Sequence, residues 1–272
     1  MDREHLEHKL SVLSELSRLY ASRMVNYIGS DIKSTHDGEN TKYTEIIAEW
    51  LLNNFELLNK SFERSTICRT GNPRGRLKDK PYYVKVHQKL KKASNKKKSE
   101  EKRIAQQLFI NRGKIVELYP CIGKIIDYQT PLKNVRSDRA GEIDVLALKD
   151  DMLSIIELKK PNSRETLLRC ILEAYTYYRT IKDKDAFRAS FKDVGQYRVV
   201  SGKHPRFMIC PLFFAGSQPD KDMRSSHEYL KELVKTIENK SGLRVTFLRI
   251  NKHENRDVTK WDITDVTNIF WE

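Results

Sequence analysis

Long apolar runs are missing from this 272-residue chain. No stretch of about eighteen consecutive apolar residues occurs, so no segment is expected to cross a bilayer as a helix. The start, Met1-Asp2-Arg3-Glu4-His5, carries charges where a secretory leader has an apolar region, which argues against secretion. Cysteine is scarce. Cys68, Cys121, Cys170 and Cys210 lie 40 or more residues apart with no CxxC pair, which excludes a paired-cysteine zinc module and a disulfide scaffold. A reduced, cytoplasmic compartment is therefore the expectation. The seven histidines form neither HExxH nor a finger pattern, and His5 and His8 read as solvated. No Walker loop, GxGxxG or GxSxG is present, so nucleotide hydrolysis and serine hydrolysis have no support.

What is present is a soluble, globular balance of 39% hydrophobic and 32% charged residues, enough to bury a proper core. The net charge of +14 points to a polyanionic partner, most simply nucleic acid. That charge is not spread evenly. Residues 1–63 hold 7 basic and 11 acidic groups, residues 64–114 hold 17 and 3, and residues 115–272 hold 27 and 23. The 51 residues of the middle stretch thus account for the whole surplus. Its first part, Arg69 to Arg76, contains Gly71, Pro73, Arg74, Gly75 and Arg76 and reads as a loop. Its second part, Lys89 to Arg103, contains Lys91, Lys92, Lys96, Lys97 and Lys98. It is either a solvated linker or a phosphate-contacting arm that supplies salt-dependent affinity.

Helical spacing of apolar residues predicts a helix over Leu6 to Ile28, with Gly29 as its stop, and a second over Tyr43 to Leu58 with Ile46, Ile47, Trp50, Leu51 and Leu52 inward. Together with the basic loop and lysine-rich linker these form a helical N-terminal region, 1–95, ahead of a second domain, 96–272. That domain opens with a helix from Ser99 to Ile110, in which Glu101, Ile104, Ala105 and Leu108 share a face. Strand-like segments follow at Ile115–Leu118, Lys124–Pro131, Glu142–Leu148 and Leu153–Lys159. A helix to about Thr180 is signalled by a capping-box-like start, Asn162 to Glu165. Arg206–Phe214 reads as a buried strand, with Pro211 suggesting an edge or a bulge. A helix over Asp220–Glu238 and a strand over Leu243–Ile250 complete the order α-β-β-β-α-β-α-β from residue 99.

The segment Gly141 to Lys160 carries the chemistry. Asp150-Asp151 separates two apolar runs and is the expected hairpin turn, so paired residue numbers sum to 301. Asp144 then lies opposite Glu157, and Glu142 opposite Lys159, all on one face with Leu146, Leu148, Leu153 and Ile155. Ile143, Val145, Ala147, Ile156 and Leu158 make the other face apolar as well, so the hairpin should be buried on both sides. Facing carboxylates in such a setting are costly unless compensated, and a divalent cation with hard oxygen ligands, Mg²⁺ or Mn²⁺, resolves the conflict. A surface hairpin with ordinary Glu142–Lys159 ion pairs is the alternative. Gln129 and Lys133, ending the preceding strand, are either phosphate-backbone contacts or plain surface residues.

At these residues the chain resembles the PD-(D/E)XK nuclease superfamily. Asp144 is followed thirteen residues later, across the hairpin, by Glu157-Leu158-Lys159 as the E-x-K element, and the element order around them is similar over about residues 99–215. Ile143 stands where the family usually has proline. The resemblance implies an α/β fold with a restriction-endonuclease-like αβββαβ core and a mixed central sheet. It implies Asp144 and Glu157 as metal ligands, the Leu158 carbonyl as a third, and Lys159 as the group orienting the attacking water. It also implies Glu101 as the acidic residue of the first core helix, with Glu100 beside it, and Glu173 with Tyr177 as a variant of the Gln-x-x-x-Tyr element, Glu173 replacing Gln. A simple ion pair of Glu173 with Arg169 is the equal alternative. Tyr175 and Tyr178 are expected in the core. The implied activity is Mg²⁺-dependent hydrolysis of phosphodiester bonds by an endonuclease, on DNA in preference to RNA, with a homodimer suiting cleavage of two strands. A nuclease-like module that grips nucleic acid without cutting is the other reading.

Overall fold

A computed structural model of the chain describes residues 8, 32–33, 40–56, 58–59, 82, 87, 99–132, 141–149, 152–181, 183–191, 206–225, 227–252 and 257–272. Strands β1 (Ile32–Lys33) and β2 (Asn40–Thr41) pair antiparallel ahead of helix α1 (Tyr43–Asn53). Then come α2 (Glu100–Ile110), α3 (Arg112–Leu118), β3 (Lys124–Pro131), β4 (Glu142–Lys149), β5 (Met152–Leu158), α4 (Leu167–Thr180) and α5 (Lys184–Ala189). The chain closes with β6 (Arg206–Phe214), α6 (Gln218–Met223), α7 (Glu228–Ser241), β7 (Arg244–Val245), β8 (Leu248–Lys252), β9 (Asp262–Asp265) and α8 (Thr267–Trp271). The expected helix over Leu6–Ile28, the turn Asp150-Asp151, and the basic residues Arg74, Arg76, Lys91, Lys92, Lys96, Lys97 and Lys98 lie outside the described residues, apart from His8.

The protein is α/β. Among the described residues seven strands form one mixed sheet in the order β3-β4-β5-β6-β8-β9, with β7 also on β6. The β3-β4-β5 meander is antiparallel, β5-β6 and β6-β8 are parallel, and β8-β9 is antiparallel. Parallel pairing of β5 with β6 requires a crossover, which α4 and α5 provide. Alternation of side chains then divides the core in two. On one face Leu146, Leu153, Ile155, Phe207, Ile209 and Phe213 pack with α1, α4 and α7. On the other Val145, Ala147, Ile156, Cys210, Leu212 and Phe214 pack with α2 and α3. Cover on both faces explains why β5 and β6 read as nearly continuous apolar runs, with every residue of β5 buried. Ile143 departs from the alternation and joins the cluster of Leu146.

The hairpin keeps the expected register from Lys149↔Met152 to Val145↔Ile156. Several other expectations are corrected. Ile115–Leu118 is not a strand but the end of α3, with Ile115 N donating to the Asn111 carbonyl; a four-residue apolar run does not distinguish the two. The crossover helix starts at Leu167 rather than Asn162. Asn162 takes a positive φ of 57°, and the helix is capped by Thr166, whose hydroxyl accepts from Arg169 N. The helix expected over Asp220–Glu238 is two: the first ends at Met223, and a new helix starts after His227. Its first N–H groups, those of Tyr229 and Leu230, donate to Glu45 of α1 (2.8 and 3.2 Å), so a buried carboxylate from a distant helix serves as its cap.

Pro211 lies on neither an edge nor a bulge. It sits in an interior strand, opposite Glu157 on one side, and on the other between the β7 and β8 ladders, where pairing lapses. That lapse spares its missing N–H and splits the strand expected over Leu243–Ile250.

Candidate active site at the β4–β5 carboxylates

The start of β4, the end of β5 and the first turns of α4 meet at one end of the sheet. Gly141 leads into β4 with φ of 79°, and a Cβ there would lie 3.1 Å from the Tyr177 ring, so glycine lets α4 close on the strand. Past Val145↔Ile156 the ladder ends, and the Asp144 carboxylate takes over. Its Oδ2 accepts from Leu158 N at 3.1 Å and its Oδ1 from Gln129 Nε2 at 2.8 Å. Gln129 reaches it from a left-handed backbone conformation (φ 47°), and its own Oε1 is buried with no hydrogen-bond partner. A non-glycine residue held in that region marks a place where the fold maintains local strain.

Glu157 and Lys159 are each 4% exposed. The Lys159 ammonium hydrogen-bonds Glu157 Oε1 (2.7 Å) and Glu173 Oε2 (2.5 Å) and is ion-paired with Glu165 Oε2 (2.5 Å). Arg169 holds Glu173 Oε1 through Nε (2.9 Å) and Nη2 (2.8 Å), so the expected i,i+4 pair exists alongside the contact to Lys159. Glu142 does not meet Lys159. Its carboxylate pairs instead with Lys102 of α2 at 2.9 Å, because Lys159 turns toward α4. From the same helix Glu101 accepts from Lys160 N at 3.4 Å, which puts it at the margin of the cluster. Tyr175 and Tyr178 pack in the core as expected, and both hydroxyls reach Ser241.

The electrostatics follow from burial. Among the described residues Asp144, Glu157, Glu165 and Glu173 are met by two cations, Lys159 and Arg169, so this group, fully ionised, carries two excess negative charges. Burial raises the Asp144 carboxyl to about 6 despite the Leu158 N–H. Burial pushes Glu157 well above the usual range, Lys159 opposes this, and Asp144 and Glu173 add to it. For Glu173 burial is overcome by Lys159 and Arg169, which hold its carboxyl below the ordinary value. Burial alone would lower Lys159, but Glu157, Glu173 and Glu165 keep it firmly charged. Tyr177 is raised by burial and by the nearby carboxylates.

Glu157 Oε2 is buried without a hydrogen-bond partner, as are Gln129 Oε1 and Glu165 Oε2 in the same cluster. Among the described residues no three His, Cys, Asp or Glu side chains form a ready-made metal cage. Asp144 and Glu157 are the two carboxylates on which a hard cation with oxygen ligands would rest. The orphaned Glu157 oxygen and the excess charge of two fit such an ion.

Sequence reasoning missed two residues of the cluster. At the end of its strand Gln129 suits either a phosphate-backbone contact or a plain surface place, and Glu165 suits a helix cap; neither pattern signals a partner in this cluster. Were the cluster the centre of a metal-dependent enzyme, Gln129→Leu would weaken its activity by about 10- to 100-fold, more than the modest fall in melting temperature from one lost hydrogen bond would explain. Parallel thermal scans and rate measurements check it.

His87, four residues before Lys91, hydrogen-bonds the buried Asp127 of edge strand β3 at 2.8 Å, and Ser99, one residue after Lys98, caps α2. No family model matches the chain, and neither a curated protein nor a solved structure matches it. Among the described residues no helix is long and apolar enough to cross a membrane.

Proposed function

We propose that the chain is a metal-dependent nuclease with a restriction-endonuclease-like core, acting on phosphodiester bonds of nucleic acid, DNA in preference to RNA. One observation carries the reading. Asp144, Glu157 and Lys159, spaced as in the PD-(D/E)XK motif, meet in a buried cluster whose excess charge and orphaned Glu157 Oε2 suit a divalent cation. Element order supports it too: α2, the β3-β4-β5 meander, α4 and the parallel β6 follow the αβββαβ pattern.

In this reading Asp144, Glu157 and the Leu158 carbonyl hold Mg²⁺ or Mn²⁺. The bound ion would acidify water and offset phosphoryl charge. Lys159 orients the attacking water and adds positive charge where negative charge develops. Glu173 and Arg169 hold the Lys159 ammonium in place, Gln129 and the Leu158 N–H fix the Asp144 carboxylate, and Glu101 lies at the rim. The basic stretch of residues 64–114, including Arg74, Arg76, Lys91, Lys92, Lys96, Lys97 and Lys98, supplies salt-dependent grip on the phosphate backbone. Where both strands are cut, a homodimer would bring two such sites.

The test is a supercoiled-plasmid nicking assay with Mg²⁺ or with chelator. Nicking with Mg²⁺ alone is the expected result. Salt-sensitive binding with no cleavage of DNA or RNA would favour a non-cutting binding module instead.

A further inference from the structure

An ammonium group has three N–H donors. In Lys159 two of them are hydrogen-bonded to Glu157 and Glu173, and the Glu165 carboxylate covers the group as a third anion. With Glu165 Oε2 only 2.5 Å from the nitrogen, a phosphate oxygen has no room beside the ammonium while all three carboxylates stay in place. One carboxylate must withdraw before Lys159 can act, and the three are not equivalent.

Glu157 is fixed by β5 inside the sheet, its side chain 6% exposed. Glu173 is rooted in α4, 16% exposed, and gripped twice by Arg169. Glu165 differs in each respect. It belongs to the non-helical stretch between Lys159 and the Thr166 cap, and its side chain is 31% exposed. Its contact to Arg169 is stretched to 3.6 Å. Its Oε2 lies 2.5 Å from the ammonium nitrogen yet makes no hydrogen bond, so it is held by charge without directional alignment.

A carboxylate oxygen and a non-bridging phosphate oxygen are the same kind of partner for an ammonium: anionic, acceptor-only and able to take a charge-assisted hydrogen bond. We propose that Glu165 is a built-in competitor of the substrate phosphate, occupying Lys159 in the free protein and giving way when the nucleic-acid backbone arrives. The inference rests on the nuclease reading for the identity of the ligand. It assigns Glu165 a regulatory, positioning role: it covers the remaining side of an ammonium already paired with Glu157 and Glu173 until a substrate phosphate takes its place. It also makes like-charge repulsion at the mouth of the site the first barrier that an incoming phosphate meets.

Fluorescence anisotropy of a labelled DNA duplex in chelator tests this with the full chain. Glu165→Gln should bind about tenfold more tightly than wild type, and the gain should collapse when Lys159→Met is added. A residue with a merely structural role would not tighten binding when replaced. Wild type that binds, with Glu165→Gln no tighter, overturns the proposal. So does a gain that persists in the Lys159→Met background, since it would reflect only a change in overall charge. Should wild type bind no nucleic acid at all, the nuclease reading fails separately. The rate of reductive methylation of Lys159, followed by mass spectrometry, then decides. Labelling several-fold faster in Glu165→Gln, and slowed again by excess inorganic phosphate, supports the competitor; a rate equal to wild type overturns it.

Discussion

Asp144→Asn and Lys159→Met should each lower the Mg²⁺-dependent nicking rate by about 10³-fold. The two losses have different origins. Asn at position 144 keeps an oxygen for either the Leu158 N–H or Gln129, but it loses the charge that would hold a cation opposite Glu157. Raising the concentration of Mn²⁺ should therefore recover part of the Asp144→Asn rate. Lys159→Met leaves the two carboxylates in place but removes the positive charge at their centre, so extra metal should recover nothing. Lys159→Met also leaves Glu157, Glu165 and Glu173 facing one another around an apolar group, and a thermal scan must show the variant folded before its rate is compared. Retained cleavage in both variants would remove the site from its place at the β4–β5 carboxylates.

The second large effect concerns stability. The Asp144 carboxyl is raised to about 6 in the folded protein, against 3.8 for the free group. Between those values the folded state binds more protons than the unfolded state, so this group's contribution to stability falls as pH rises from about 4 to about 6. Above that window the burial cost is present in full. Metal-free Asp144→Asn escapes about 3 kcal/mol of burial cost at pH 7 and forfeits one hydrogen bond of about 1–2 kcal/mol, so it should be more stable than wild type by about 1–2 kcal/mol, a few degrees in melting temperature. The difference should shrink as the pH approaches 4. Added Mg²⁺ should raise the melting temperature of wild type and not that of the variant, because only wild type gains binding energy on folding. Differential scanning calorimetry at two pH values, with and without metal, checks all three statements. A variant less stable than wild type at every pH would contradict them.

How much of this was legible in the sequence depended on local rules. Asp150-Asp151 between two apolar runs indicates the register of the hairpin from Lys149↔Met152 to Val145↔Ile156, which ends just short of the expected Asp144–Glu157 pair. Helix α2 and its buried side were equally plain, since helical spacing of Ile104, Ala105 and Leu108 has one reading. What escaped was set by departures from periodicity. Gln129 and Asn162 take positive φ values that no alternation rule anticipates, and each redirects a side chain or a helix start. Glu165 accordingly reaches Lys159 from a loop that read as the first turn of a helix. Glu45 gave no local signal either, because its partners, Tyr229 N and Leu230 N, are more than 180 residues away. Pairings across the fold, such as β5 with β6 at Glu157↔Pro211, are likewise invisible to short-range patterns.

The proposed nuclease chemistry requires a cation held between Asp144 and Glu157. Calorimetric titration of Mn²⁺ into the full chain tests it most directly. One site in wild type, lost in both Asp144→Ala and Glu157→Ala but kept in Lys159→Met, is the predicted result. Binding that survives unchanged in both carboxylate variants, or no binding to wild type in the presence of a DNA duplex, would contradict it.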